Sequence, residues 1–365
     1  MNLQKRLENI EDFRNQSYIT YKLSDVLTIV MSGVICGLDS LEDLVIFAKE
    51  RVSFFKDMFK IDKIPSKSTF SRILSVIDGK AVAEIVIDCM KENISELGNI
   101  IAVDGKAIRS TAKNKHPALH ILTAYLTESG VTLAQEKIHD KTNEIPVFQD
   151  MLEYLDIKNK VITADAMHCQ KETCDKIIKK KGDYVFALKE NQKNLYNDIK
   201  LFFENETDAF DVYTSPVESC HGRIEQRTCT RIKDISWLHD IKLWSGIKSV
   251  FAIRRKVSDK FGKRISDETS FYISSLDVEA EKLLKITREH WKIESLHWML
   301  DVVFNEDMSN FESEKAHECL NAFRKFALLL HKNYLKKQSK KISIKSSMLQ
   351  CLINTNRIYN MFSNL

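Results

Sequence analysis

The stretch Ile100-Ile101-Ala102-Val103-Asp104-Gly105-Lys106 constrains the fold more than any other. Four small or β-branched apolar residues run into one carboxylate, then a glycine and a cation. A continuous apolar run of this kind predicts a strand covered on both faces, ending where glycine breaks it. Such a strand delivers Asp104 to the rim of the core, half desolvated, where a metal ion or a proton is its natural partner.

The chain sends a second strand to the same kind of end. Lys160-Val161-Ile162-Thr163-Ala164-Asp165 is again apolar and again closes on a carboxylate. Between the two, Leu119 to Tyr125 and Val131 to Ile138 read as strands joined by the turn Glu128-Ser129-Gly130, which gives an antiparallel meander with the first strand. A helix is expected over Val147 to Leu155, after Pro146, and another from Gln170 to Lys181, closed by Gly182. Asp183 to Lys189 is a fifth strand, ending in a cation. Three meander strands, a helix, then alternating strand and helix is the order of a ribonuclease-H-like α/β fold.

On either side of this core the pattern differs. Residues 1–95 read as helical and as a separate N-terminal domain. Leu23, Val26, Leu27, Val30, Met31 and Val34 form a core-facing stripe. Asp39-Ser40-Leu41 looks like a capped start, and Pro65-Ser66-Lys67-Ser68 opens a further helix with Ser66 or Ser68 as cap. With Lys67, Ser68 and Arg72, that helix is either a DNA contact or a capped surface helix packed through Phe70, Ile73 and Leu74. A β-rich insertion is expected at about 197–275, inside a catalytic domain spanning 96–340. Within it His221, Arg223, Glu225 and Arg227 share one strand face. Residues 341–365 make a basic to apolar tail that matches no motif.

After the insertion comes a helix containing His290, Trp291, Glu294, His297, Trp298 and Asp301. At 100° per residue His290, Glu294, His297, Trp298 and Asp301 lie on one stripe. Carboxylates, imidazoles and indole together make a poor core and an unusual surface, so the stripe reads either as the wall of a site or as a polar seam packed on a neighbouring helix. Asp104, Asp165 and Glu294, from three distant segments, can then meet at one sheet edge. Hard oxygen ligands suit Mg²⁺ or Mn²⁺, and two such ions can bridge a scissile phosphate. The cations Lys106, Arg109, Lys189, Arg223 and Arg227 fit a polyanion better than the sugar that a glycosidase pair of Asp104 and Glu294 would take. There is no glycine-rich phosphate loop and no nucleophile elbow.

Composition narrows the class further. Hydrophobic content of 44% and charged content of 29% are those of a globular protein, and the net charge of +4 is mild. Lys332, Lys336, Lys337, Lys340, Lys341 and Lys345 sit in a stretch without acids, which is either a phosphate-binding run or a solvated face. Eight cysteines without a CxxC pair, and no secretory signal, predict reduced thiols in a cytoplasm. Cys169, Cys174, Cys220, His221 and Cys229 match no standard zinc module. The apolar run Val26 to Leu38 is too short to cross a bilayer, so no membrane association is expected.

Across almost its whole length the chain resembles a DDE transposase of the bacterial insertion-sequence class, in the H-repeat-associated branch. The motifs are Ala102-Val103-Asp104-Gly105-Lys106 with Arg109, Thr163-Ala164-Asp165-Ala166-Met167-His168, and Ala187-Leu188-Lys189-Glu190-Asn191-Gln192. They continue with His221-Gly222-Arg223-Ile224-Glu225-Gln226-Arg227 and with His290-Trp291-Lys292-Ile293-Glu294 through Asp301, Phe304, Glu306 and Asp307.

The resemblance implies a catalytic triad of Asp104, Asp165 and Glu294 on a ribonuclease-H-like core, dependent on Mg²⁺. It implies cleavage and strand transfer on double-stranded DNA at the ends of a mobile element, by a homo-oligomer working at the nucleoid. It makes His221, Arg223 and Arg227 candidate DNA contacts, beside Lys106, Arg109 and Lys189. The superfamily often carries a basic residue one turn before the Glu and another seven residues after it. Here His290 and Asp301 stand there, and the nearest arginine, Arg288, joins the candidate DNA contacts. A relic of the same fold that only nicks or binds DNA, and a DNA-binding regulator, are the competing functions.

Overall fold

The computed structural model of the chain describes residues 3–12, 14–92, 98–112, 117–138, 144–205, 210–220, 222–238, 241–309, 311, 313–338 and 341–363. It is a mixed α/β structure built on one large sheet. The meander predicted from the apolar runs forms as β1 (Ile100–Ile108), β2 (Leu119–Leu126) and β3 (Val131–Ile138), all antiparallel. β4 (Val161–Ala164) and β5 (Asp183–Leu188) follow, parallel to β1. The crossovers between them are α7 (Glu144–Tyr154) and α8 (Lys171–Lys179). α7 starts before Pro146 rather than after it, because a proline in the first turn lacks only an amide that has no helical partner there.

Register decides where the carboxylates go. Val103 of β1 is level with Ala164 of β4, and Ala164 is level with Phe186 of β5. Asp104 and Asp165, each one residue further along, therefore stand at the same height on neighbouring parallel strands, which run about 4.8 Å apart.

The insertion does not form a separate sheet. α9 (Lys193–Asn205) leads into β6 (Phe210–Thr214), β7 (Glu218–Cys220), β8 (Arg223–Ile232), β9 (Ser249–Asp259) and β10 (Arg264–Ser274). β10 pairs with β5, so the sheet runs β3-β2-β1-β4-β5-β10-β9-β8-β6, with β7 on β8. α10 (Ala280–Val302) then lies against β1, β4, β6 and β8, and α11 (Glu314–Lys336) follows it.

The described residues before β1 form α1 (Leu3–Leu7), α2 (Leu23–Ile35), α3 (Leu41–Glu50), α4 (Val52–Phe59), α5 (Lys67–Val76) and α6 (Gly79–Glu92), besides a short 3-10 turn. Ser40 accepts from the Asp43 amide at 3.1 Å and Ser66 from the Thr69 amide at 3.3 Å, so both predicted caps form. These helices share one continuous hydrophobic cluster with the sheet: α6 packs on α11 and β3, and α2 on α11.

α2 is buried along nearly its whole length, and its Thr28 and Ser32 hydroxyls donate to carbonyls one turn back. Among the described residues no helix is long and apolar enough to cross a membrane. The unplaced tail folds as α12 (Ile344–Ile353) and α13 (Asn356–Ser363), which bury Met348, Cys351, Ile358 and Met361 in the same cluster. His331, at the head of the Lys-rich run, is interior. It bonds the Ser347 hydroxyl at 2.8 Å and the Ile35 carbonyl at 2.9 Å, and burial pushes its ring down to about 4.

Candidate active site

The polar stripe of α10 faces the ends of β1 and β4, and its residues pair with the strand-end residues one by one. His290 Nε2 lies 3.7 Å from Asp165 Oδ1, His297 Nδ1 3.4 Å from Asp104 Oδ2, and Asp301 Oδ1 2.6 Å from Lys106 Nζ. The two imidazoles are two helical turns apart, matching the two neighbouring strands. Glu294 sits between them on the same face. Trp291 and Trp298 stay half exposed and are not the packing anchors of a buried seam.

Each carboxylate has a different environment. The His290 imidazole beside Asp165 holds that carboxyl below its ordinary value against the opposing effect of burial, and Lys189 adds to it. Glu294 is shifted the other way. Burial pushes its carboxyl up, His290 offsets part of this, and the neighbouring charges of Asp104 and Asp165 push it up further. Asp104 accepts from the Gly105 amide at 2.9 Å. Thr163, two residues before Asp165, orients His290: its hydroxyl reaches the Ile101 carbonyl at 3.4 Å and the ring Nδ1 at 3.0 Å, leaving Nε2 for Asp165. A cavity of about 340 Å³ opens here, lined by Asp165, Glu294, Lys189, His290, Tyr196 and Trp291.

Beneath this edge lie two buried polar layers. In the first, Lys106 Nζ is held by Asp301 and by Glu306 Oε2 at 3.0 Å, with Asp307 at 3.7 Å. Glu306 is fully buried and also accepts from Arg324 at 3.2 Å and Asn321 at 3.0 Å, both from α11. Burial alone would push the Glu306 carboxyl up, but Arg324 and Lys106 hold it at about 2. In the second layer, Glu144 takes a hydrogen bond from His168 Nε2 at 3.3 Å. A Cβ at Gly105 would lie 2.6 Å from Glu144 Oε1 and 2.6 Å from His120 Nε2, so this position requires glycine for close approach.

The predicted cations divide into two groups. Lys106 is interior, and Arg227 and Arg288 are engaged by Glu218 and Glu225. Arg109 is 85% exposed with its Nε 3.6 Å from Asp307, while Lys189 and Arg223 are open to solvent. His221 lies outside the described residues. Sequence reasoning put His290 and His297 on the right stripe but assigned them no partner, although their spacing of seven, around a Glu, was the available signal. It missed Arg324, Glu144 and His120, because nothing local announces a charge buried by a distant element.

Among the described residues, no three His, Cys, Asp or Glu side chains stand close enough together to hold a metal ion as they are. Each aspartate is turned to an imidazole instead. The donor chemistry still suits a hard cation: all three groups offer carboxylate oxygens, and the charges of Asp104 and Asp165 act on Glu294.

Comparison with known proteins bears on the family of the chain. A family model described as the transposase DDE domain matches residues 96–330, and a model for the region associated with it matches residues 4–90. YncI of Escherichia coli O157:H7, which bears a provisional transposase name, is 36% identical over 96% of this chain and 94% of its own length. YhhI of Escherichia coli strain K12, provisionally named an H repeat-associated transposase, is 34% identical over 90% of each chain. A solved piggyBac transposase synaptic complex with hairpin DNA aligns over 99% of this chain and 78% of that one, at 11% identity and a TM-score of 0.44.

Proposed function

The chain belongs to the DDE transposase family, in its H-repeat branch, whose general activity is DNA cleavage and strand transfer; on that premise we propose that Asp104, Asp165 and Glu294 are its catalytic carboxylates. The observation that carries this reading is the level register of Asp104 and Asp165 on adjacent parallel strands, with Glu294 facing the gap between them. The order of β3, β2, β1, β4 and β5 supports a ribonuclease-H-like core. The helices before residue 95 and after residue 340 would then be additions to a catalytic region over 96–340.

The substrate is double-stranded DNA at the ends of an insertion sequence, cut and joined by a homo-oligomer. The carboxylates would hold two divalent ions, Mg²⁺ or Mn²⁺, which when bound polarise the scissile phosphate and activate water or a 3′-hydroxyl. The chain's own groups prepare the site. His290, oriented by Thr163, favours the ionised form of Asp165 against the opposing effect of burial, and His297 lies against the Asp104 carboxylate. Lys189, exposed beside Asp165, is placed to meet a phosphate oxygen. The Lys106–Asp301 pair ties β1 to the end of α10 and so fixes Glu294 relative to Asp104.

Nicking of supercoiled plasmid in Mg²⁺ tests the reading. Wild type should relax the plasmid, and Asp104→Ala, Asp165→Ala and Glu294→Ala should each abolish nicking while retaining the fold and DNA affinity. Equal inactivity of wild type and Asp165→Ala, with DNA binding intact, would make the protein a DNA-binding module instead.

A further inference from the structure

We propose that the β8–β9–β10 ribbon is a DNA-binding arm whose tip lays Phe261 against the bases of the duplex beyond the cleavage edge. This rests on the reading that the carboxylate edge acts on DNA.

The sheet register makes the arm. Phe271 of β10 is level with Leu188, the last residue of β5, and Leu188 lies near the height of Asp165. β10 begins seven residues earlier, at Arg264. At about 3.3 Å per residue it overhangs the carboxylate edge by roughly 20 Å. β9 accompanies it as far as Asp259, and Arg223 of β8 stands opposite Asp259. A two-stranded ribbon is the size of element that the major groove admits, and the β9–β10 turn over 260–263 projects past the start of β8.

The tip is a hydrogen-bonded turn and carries an aromatic ring in water. The Asp259 carboxylate accepts from the Phe261 amide at 2.8 Å and the Lys263 amide at 2.9 Å. Its main chain bonds Lys263 and Gly262, with Gly262 at φ +83°. The acid at the tip is thus engaged by the turn and offers little repulsion to a phosphate. Phe261 is 83% exposed, with Lys260 Nζ 4.9 Å from its ring centre. One exposed phenyl ring is common on any surface. A preorganised one, among cations, at the end of an arm rising from a nuclease edge is not.

Charge separates the tip from the shaft. Along the shaft Arg227 and Arg255 pair with Glu225, and Arg254 and Arg264 with Asp267. Among the described residues Lys260, Lys263 and Arg223 enter no ion pair; on the shaft the exposed Lys256 enters none either, so three of these four open cations stand at the end. Cations that grip phosphates beside an apolar ring that touches bases is the chemistry of groove-binding wedges.

Two variants of the full chain test this on a fluorescein-labelled duplex of mixed sequence, by anisotropy across a salt series. Arg223→Ala/Lys260→Ala/Lys263→Ala should flatten the salt slope by about 0.9 for each phosphate contact removed. Phe261→Ala should keep the slope, weaken binding about tenfold, and lose the fluorescence rise of a 2-aminopurine base in the duplex. Both substitutions lie on exposed positions, and a circular-dichroism melt checks that each variant is folded. Folded variants with wild-type affinity, slope and 2-aminopurine signal would overturn the arm while leaving the transposase reading intact, provided wild type nicks plasmid. A wild-type chain that neither binds nor nicks DNA would overturn both. A Phe261→Ala variant that binds DNA normally but no longer self-associates would make the tip a contact between copies, and the proposal would fail.

Discussion

Replacing Glu306 by Gln removes the anion shared by two buried cations. Glu306 is fully buried, Arg324 nearly so, and Lys106 almost as deep. Lys106 would keep Asp301 at 2.6 Å, but Arg324 would lose the carboxylate 3.2 Å away and keep a neutral amide oxygen at best. Removing one partner of a buried ion pair costs about 3–5 kcal/mol, because the remaining charge stays desolvated. At about 2 °C per kcal/mol, the low end of the range for large domains, Tm should fall by roughly 6–10 °C at neutral pH. The sign of the pH dependence follows from a depressed carboxyl. Its stabilisation is present above the ordinary value of 4.5 and is lost as pH falls towards about 2. The wild type should therefore lose this increment across that window, and Glu306→Gln should not. A double-mutant cycle with Lys106→Met should show coupling of about 0.5–3 kcal/mol, since the two side chains are in contact. Nicking should fall as well, because the cluster links the residue two after Asp104 to the residue seven after Glu294. The assay is a circular-dichroism melt at several pH values beside plasmid relaxation. A Glu306→Gln variant with an unchanged Tm and an unchanged acid profile would refute the argument that this cluster braces the site.

Other perturbations have equally definite outcomes. Glu294→Gln should raise Tm at neutral pH without metal. A carboxyl whose folded value is raised favours folding only in acid, and that stabilisation is lost as pH rises through the raised value, so a lower neutral Tm would contradict the carboxylate convergence. Asp165 should behave with the opposite sign, since its carboxyl is held low beside His290 and its stabilisation is lost as pH falls, so metal-free melts of Asp165→Asn and Glu294→Gln across acid and neutral pH should shift Tm in opposite directions. Gly105→Ala should cost about 1–3 kcal/mol by overpacking against Glu144 and His120, visible as a lower denaturation midpoint. Thr163→Val should lower nicking several-fold with little change in Tm, since it leaves His290 without its orienting hydroxyl.

The residues themselves determined the strands that carry Asp104 and Asp165, the meander before them, the capped N-terminal helices and the mixed stripe of α10. All of these are short-range signals: apolar runs, turn residues, cap spacing and a period of 3.6. α7 begins three residues earlier than its pattern implied, because a first-turn proline is tolerated. Which element meets which was decided only by the fold. β10 joins β5 and makes the insertion part of the main sheet, where alternation alone could have built a separate one. Lys106 looks like a phosphate ligand when its neighbours along the chain are Gly105 and Ala107. It becomes an internal strut once Asp301 and Glu306 arrive from nearly two hundred residues away. A side chain's charge is written in the sequence, but whether that charge faces water or a buried counter-ion depends on desolvation, and desolvation is a property of the packed chain.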